Sequence, residues 1–263
     1  MSLLSFASAK GSPGVSHAVA ELARLWGRDA VVADLDPAGG DVVLLQRDAS
    51  GEPLLPDTGL VSLGAALRGG KSAELGEHLQ TTIDGTRTLV GVSTPAQVHA
   101  LGPVWGQIAT SLAAQRGDVL ADLGRFTPGS PVVPIIESSA ALVLVARDDL
   151  PSLAHLRERL QGLREPLNLG RLGGKPVGVA LVGDPRNARA VGDMVRLFAA
   201  ADLSVEGLGM IADDPRSVAT WWALSPRQRA RSVYQRSLVD VAERLRGLVG
   251  SAPSLGAAPV EEA

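Results

Sequence analysis

Residues 2–41, SLLSFASAKGSPGVSHAVAELARLWGRDAVVADLDPAGGD, restrict the possible folds of this chain more than any other stretch. An apolar run over 3–9 is short enough for a buried parallel strand and stops at Lys10-Gly11. Gly11 and Gly14 let a turning backbone approach an anion, Pro13 stiffens the turn, and Ser12 and Ser16 add hydroxyls. From Val15 onward, Val19, Leu22, Ala23 and Trp26 recur at helical spacing. The turn therefore opens a helix whose free N–H groups and positive dipole end point to one place. A second strand over 30–33 runs into Asp34-Leu35-Asp36-Pro37, and so puts carboxylates at a strand's carboxyl end, where open α/β sheets hold ligands. The stretch reads as a phosphate cradle.

The same alternation continues. Apolar, β-branched runs at 88–92, 118–125, 141–146, 177–182 and 208–211 alternate with helical patterns, which predicts a doubly wound, mostly parallel sheet of seven or more strands with helices on both faces. With 263 residues, 45% of them apolar, the chain can bury one large core, expected over 1–250. The small, proline-containing stretch 251–263, ending in Glu261-Glu262, reads as a disordered acidic tail. Stripes of apolar residues predict one helix through Val98, Leu101, Trp105, Ile108 and Leu112, another over 151–163, and a long one over 226–249.

Several chemistries are excluded. With no cysteine there is no thiolate metal site, disulfide or thiol nucleophile, and His17, His78, His99 and His155 lack the spacing of a metal site. Aromatics at 3% and a net charge of −3 argue against a single-strand nucleic-acid binder. No apolar stretch approaches the roughly 20 residues that span a bilayer, and the start lacks a secretory pattern, so a cytoplasmic protein is expected.

Lys10-Gly11-Ser12-Pro13-Gly14-Val15-Ser16 resembles the deviant Walker A loop of ParA/MinD-type ATPases, whose usual form is K-G-G-x-G-K-[ST]. Asp34-Leu35-Asp36-Pro37-Ala38-Gly39 is similar to that family's D-x-D-P-x-G, and 118–125 to its Walker B and switch II segment. The resemblance implies ATP and Mg2+ as cofactors, bound through Gly11, Ser12, Pro13, Gly14, Val15, Ser16 and His17, with Ser16 and Asp122 on the metal side. Lys10 falls on the signature lysine that reaches a partner's phosphates in a nucleotide-sandwich homodimer, and Asp36 on the acid that positions the attacking water. Val15 stands where the second lysine belongs. Asp184 and Asp213 lie in the loops that hold the base in related ATPases, although the first loop lacks the usual asparagine and Ala212 replaces a proline.

Bland readings stand beside these. Lys10 could be a solvated lysine, Asp122 a helix cap, Arg125 a surface ion pair, and His78 a packed side chain. The arginine-rich helix over 226–249 could pack its apolar stripe on the sheet, or touch DNA or an anionic membrane; packing is the favoured reading. At the level of function three readings compete. A ParA/MinD-like nucleotide switch that positions an unidentified protein partner comes first. A pseudo-ATPase scaffold of the pilus-assembly TadZ/CpaE type is motivated by Val15. An unrelated metabolic α/β enzyme would use Asp34 or Asp36 as a base.

Overall fold

The computed structural model describes residues 1–10, 13–27, 29–70, 73–127, 129–169, 173–221 and 224–250. In chain order its elements are β1 (Leu3–Ser8), α1 (Val15–Trp26), β2 (Val31–Asp34), α2 (Val42–Leu45), α3 (Leu60–Arg68), β3 (Gln80–Thr81) and β4 (Arg87–Leu89). There follow α4 (Pro95–Leu101), α5 (Trp105–Ala113), β5 (Val119–Arg125), α6 (Val133–Ser138), β6 (Ala141–Arg147) and α7 (Leu150–Leu163). The last are β7 (Val177–Gly183), α8 (Ala188–Ala199), β8 (Glu206–Ala212), α9 (Pro215–Ala219), α10 (Pro226–Arg231) and α11 (Val233–Gly250).

Among the described residues, eight strands form one sheet in the order β3-β4-β2-β5-β1-β6-β7-β8. Of their pairings only β3–β4 is antiparallel. The central strand β1 is flanked by β5 and β6, and the chain winds outward from it in both directions, which makes the carboxyl end of β1 the switch point of the sheet. β1 is buried along its whole length because both faces are covered, hence its small and apolar residues, among them the buried Ser5 and Ser8. Leu4, Phe6, Val32, Leu120 and Val143 face a core with α1 and α11. Leu3, Ala7, Ala33, Leu123 and Leu144 face the larger core that buries Leu63, Ile108, Leu156 and Phe198 from the helices of the other layer.

Two expected helices are broken. The 98–112 stripe is divided into α4 and α5 by a 3-10 turn at Gly102–Val104, where Gly102 is left-handed (φ 50°) and Pro103 has no N–H to continue the helix. The helix over 226–249 is interrupted at Ser232, whose extended backbone ends α10 and whose hydroxyl accepts the Gln235 N–H (3.0 Å) to begin α11. The apolar stripe nevertheless packs as expected, with Tyr234, Leu238, Val241 and Leu245 buried. The β3–β4 hairpin is an addition that alternation alone does not reveal. His78 is buried with Nδ1 2.7 Å from the Ser62 hydroxyl, which is the packed role. The acidic tail 251–263 lies outside the described residues.

A buried ionic cluster ties α1 to the end of the chain. Glu21, 1% exposed, accepts hydrogen bonds from Trp221 Nε1 (3.1 Å), Gln235 Nε2 (2.8 Å) and Arg24 (3.1 Å). Arg24 also pairs with Asp84 at 3.1 Å, in the turn between β3 and β4. Arg229 donates to the Trp221 carbonyl (3.2 Å), lies over its ring, and faces Asp84 at 3.9 Å. Burial raises the Glu21 pKa, and Arg24, Trp221 and Arg229 oppose that rise. Glu21→Ala strands the Trp221 and Gln235 donors while Arg24 keeps Asp84, and is expected to cost about 2–3 kcal/mol in urea unfolding, whereas Trp221→Phe, which removes one donor, costs about 1 kcal/mol.

Candidate functional site

At the carboxyl end of β1 the chain leaves the sheet through Ser8, Ala9 and Lys10 and re-enters the described structure at Pro13. Gly11 and Ser12, two of the expected ligand residues, lie outside the described residues. Gly14 takes a left-handed conformation (φ 88°, ψ 32°) just before α1, and as the N-cap it offers no side chain to the first turn, which carries no acid. The N–H groups of that turn therefore point to the switch point without a carboxylate of their own, a disposition that favours an anion.

Around this helix end lie acids. Asp34, at the end of β2, is paired in register with Asp122 in the middle of β5, and each is only 2% exposed. Burial pushes Asp122 up to about 6, against hydrogen bonds from the Ser16 side chain and the Gly124 N–H (2.9 Å). Burial, reinforced by the charge of Asp122, pushes Asp34 up to about 8. Asp34 Oδ2 receives a long bond from the Val42 N–H (3.4 Å), the Asp36 backbone N–H also stabilises the carboxylate, and Oδ1 has no partner within hydrogen-bond geometry among the described residues. A methyl on Gly40 would come within 2.0 Å of the Asp34 carboxyl, so this acid is walled in and cannot serve as a solvent-accessible base.

Asp36 is half-exposed and accepts the Ala38 N–H at 2.8 Å. Burial raises its pKa, and the charge of Asp41 adds to this. Its carboxylate rests against Gly124, which is left-handed (φ 55°) and whose Cβ, if present, would lie 1.9 Å from Asp36 Oδ2. The irregularity in β5 at Gly124, where its register against β1 shifts, needs glycine for both reasons. Asp122 is no helix cap: its carboxylate closes on its own strand, and α6 begins only at Val133.

The other expected residues are dispersed around this centre. Val15 is 5% exposed and packs in the core with Phe6, Val143 and Leu238, so its backbone N–H alone is left for a ligand. His17 is partly buried on α1, which holds its pKa below the usual imidazole value. Lys10 is exposed. It lies near Asp149, whose pKa is lowered chiefly by the Ser152 N–H, with Lys10 contributing. Asp184 is exposed and held by Arg186 in a 2.7 Å contact, and Asp213 pairs with Arg147 at 3.1 Å. The Asp213 N–H donates to the Gly183 carbonyl (2.9 Å) and joins the two loops. Arg125 is exposed at the end of β5. Three features have no counterpart in the sequence-based expectations: the paired burial of Asp34 with Asp122, the approach of Asp149 to Lys10, and Asn187, whose amide donates to Asp148 (3.0 Å) in the loop after β7. None carries a local signal, because each depends on which strands become neighbours.

Among the described residues no three His, Asp or Glu side chains are disposed to chelate a metal. A hydroxyl and one carboxylate do converge, the donor set on which Mg2+ rests when phosphate oxygens and water complete its shell. The unpartnered oxygen of Asp34 shows that the negative charge at this point is not answered by the described residues. The site fits a magnesium-bound phosphate.

No model of a known family matches the sequence, and no curated protein is similar to it. Solved structures are. A ParA family ATPase from Chlorobium tepidum TLS superposes with TM-score 0.71 at 16% identity, covering 93% of this chain and 98% of its own. The cell division ATPase MinD of Pyrococcus furiosus gives 0.70 at 19% identity over 94% and 99%. The septum site-determining protein MinD of Pyrococcus horikoshii OT3, complexed with Mg-ADP, gives 0.67 at 18% identity over 97% and 99%. These likenesses establish the fold.

The raised acids set a pH dependence. A carboxyl whose folded pKa exceeds its unfolded value, about 4, contributes stability that is complete below that value and is lost as pH rises through the folded one. The protein without metal is therefore expected to melt at lower temperature as pH rises from about 5 to about 9, by about 2–4 °C for each kcal/mol lost. Asp34→Asn should flatten the profile and melt above the parent at the alkaline end, as read by calorimetry.

Proposed function

We propose that this chain is a ParA/MinD-type nucleotide switch, one unit over 1–250, that binds ATP with Mg2+ at the switch point of its sheet and positions a protein partner through nucleotide-dependent pairing of two copies. The observation that carries the reading is the convergence of Ser16, Asp122 and Asp36 on the uncapped end of α1, in a fold shared with ParA and MinD ATPases. The Pyrococcus horikoshii neighbour's Mg-ADP complex supports the choice of ligand.

ATP would supply a transferable phosphoryl group, and the chain's residues do the rest. N–H groups of the first turn of α1, with those of the loop before it, attract the phosphates. The Ser16 hydroxyl and the Asp122 carboxylate hold Mg2+, and the metal's charge draws Asp122 to its ionised form. Asp36, fixed beside Gly124 by the Ala38 N–H, accepts a hydrogen bond from water and orients it. Asp184 and Asp213 flank the base. Lys10, exposed at the rim, serves the phosphates of the facing copy.

Val15 favours a second reading, a scaffold that binds nucleotide weakly and hydrolyses it slowly or not at all. A missing charge-assisted bond is worth about 1.5–3 kcal/mol, ten- to hundredfold in affinity. The burial of Val15 sharpens this point, since a lysine placed there would have to leave the core packing of α1 before it reached a phosphate.

Calorimetric titration with ATP and Mg2+ tests the reading. Ser16→Ala and Asp122→Ala are each expected to weaken binding at least tenfold, and unchanged affinity in both removes them from the site. Sedimentation separates the two readings. Under the switch reading ATP and Mg2+ induce a dimer that Lys10→Ala abolishes while its melting temperature stays within about 2 °C of the parent, because an exposed side chain contributes little to stability. Under the scaffold reading association is independent of nucleotide or absent.

A further inference from the structure

Beyond the nucleotide site, exposed apolar side chains gather at one edge of the sheet. Leu44 is 70% exposed, Ile83 63%, Leu55 61% and Leu45 39%. Three hydrogen-bonded strips bring them together. The Ile83 N–H donates to the Arg47 carbonyl (2.8 Å), and Asp48 and Thr82, like Arg47 and Pro53, form bridges. The Gln80 amide clasps Leu55, accepting its N–H and donating to its carbonyl, both at 2.8 Å. Because these strips occupy the outer side of the β3–β4 hairpin, the edge offers side chains to a partner rather than a free backbone ladder. Large, exposed apolar side chains on strips of backbone that are hydrogen-bonded to one another mark an interaction surface.

The charges around it identify the occupant. Asp41, Asp48, Glu52 and Asp57 stand within the same stretch of chain against Arg47 alone. Hydrogen bonds from Ser50 hold the Asp48 pKa below the usual carboxylate value, so it stays ionised. A second copy docking here by two-fold symmetry would bring these acids face to face, and an anionic lipid surface would be repelled by them.

We propose that this edge binds a cationic amphipathic helix of a partner protein, with its apolar face on Leu44, Leu55 and Ile83 and its lysines or arginines against Glu52 and Asp57. This does not rest on the nucleotide reading: of the residues invoked only Asp41 lies near the candidate site, and those that carry the contact, Leu44, Glu52, Leu55, Asp57 and Ile83, are not among the expected ligand residues.

The test uses the full chain and a synthetic helical peptide with leucines on one face and lysines on the other, beside a control in which glutamates replace the lysines. Fluorescence anisotropy is expected to show saturable binding of the lysine peptide, weakened by salt, and none of the glutamate peptide. Leu44→Ser/Ile83→Ser and Glu52→Gln/Asp57→Asn should each reduce affinity about tenfold or more, with circular dichroism and melting temperature as in the parent. Equal affinity for parent and both variants overturns the proposal, as does absence of binding. Sedimentation of the protein alone supplies a further check: self-association that Leu44→Ser/Ile83→Ser abolishes would assign the surface to a second copy and overturn the proposal too.

Discussion

Two carboxylates, Asp34 and Asp122, meet on neighbouring strands, where β2 ends beside the middle of β5, with almost no access to water. Like charges so placed cannot both ionise without an answering cation, and the described residues bring no guanidinium or ammonium to them. The architecture around the switch point follows from that constraint. Glycines at positions 40 and 124 leave space for the acids, the Ser16 hydroxyl is turned toward Asp122, and the electropositive end of α1 faces the same point. One shared proton still leaves the pair with a single negative charge; under the proposed reading a divalent cation would answer it, and the cost of burying the acids would turn into affinity for the metal.

Helix α1 performs two unrelated tasks. Its first turn addresses the ligand site, while one turn further on Glu21 anchors the ionic cluster shared with Trp221, Gln235 and, through Arg24, Asp84. Between these tasks its apolar face, Ala18, Val19, Leu22 and Ala23, is buried in the sheet's smaller core. The helix is thereby held along its side and, through Glu21 and the Trp26 Nε1–Asp118 bond (2.7 Å), over its second half.

Much of this is legible from residue patterns. The buried parallel strands are continuous β-branched runs stopped by Gly or Asp, and the rule that ligands sit at their carboxyl ends is enough to bring Ser16, Asp36 and Asp122 near one another. The breaks at Gly102-Pro103 and Ser232 are also written in turn chemistry, but an unbroken apolar stripe conceals them. The β3–β4 hairpin is too short for periodicity to show. Asp34 reads as a ligand-facing acid, and only the lateral order of the strands encloses it. Glu21 looks like any solvated acid of an amphipathic helix, since the donors that bury it come from the opposite end of the chain.

The same long reach bears on how the protein is made. Glu21 is separated from Trp221 by 200 positions and from Gln235 by 214, and Arg246 closes on the Leu25 carbonyl across 221. Synthesis delivers α1 early and its partners last. Until α10 and α11 have emerged, the carboxylate of Glu21 must remain in water and the apolar side of α1 cannot be sealed, so contacts of this separation close only after most of the chain exists. A nascent chain thus carries the whole of α1 without a firmly seated helix at the switch point, and one buried acid makes that seating wait on α10 and α11.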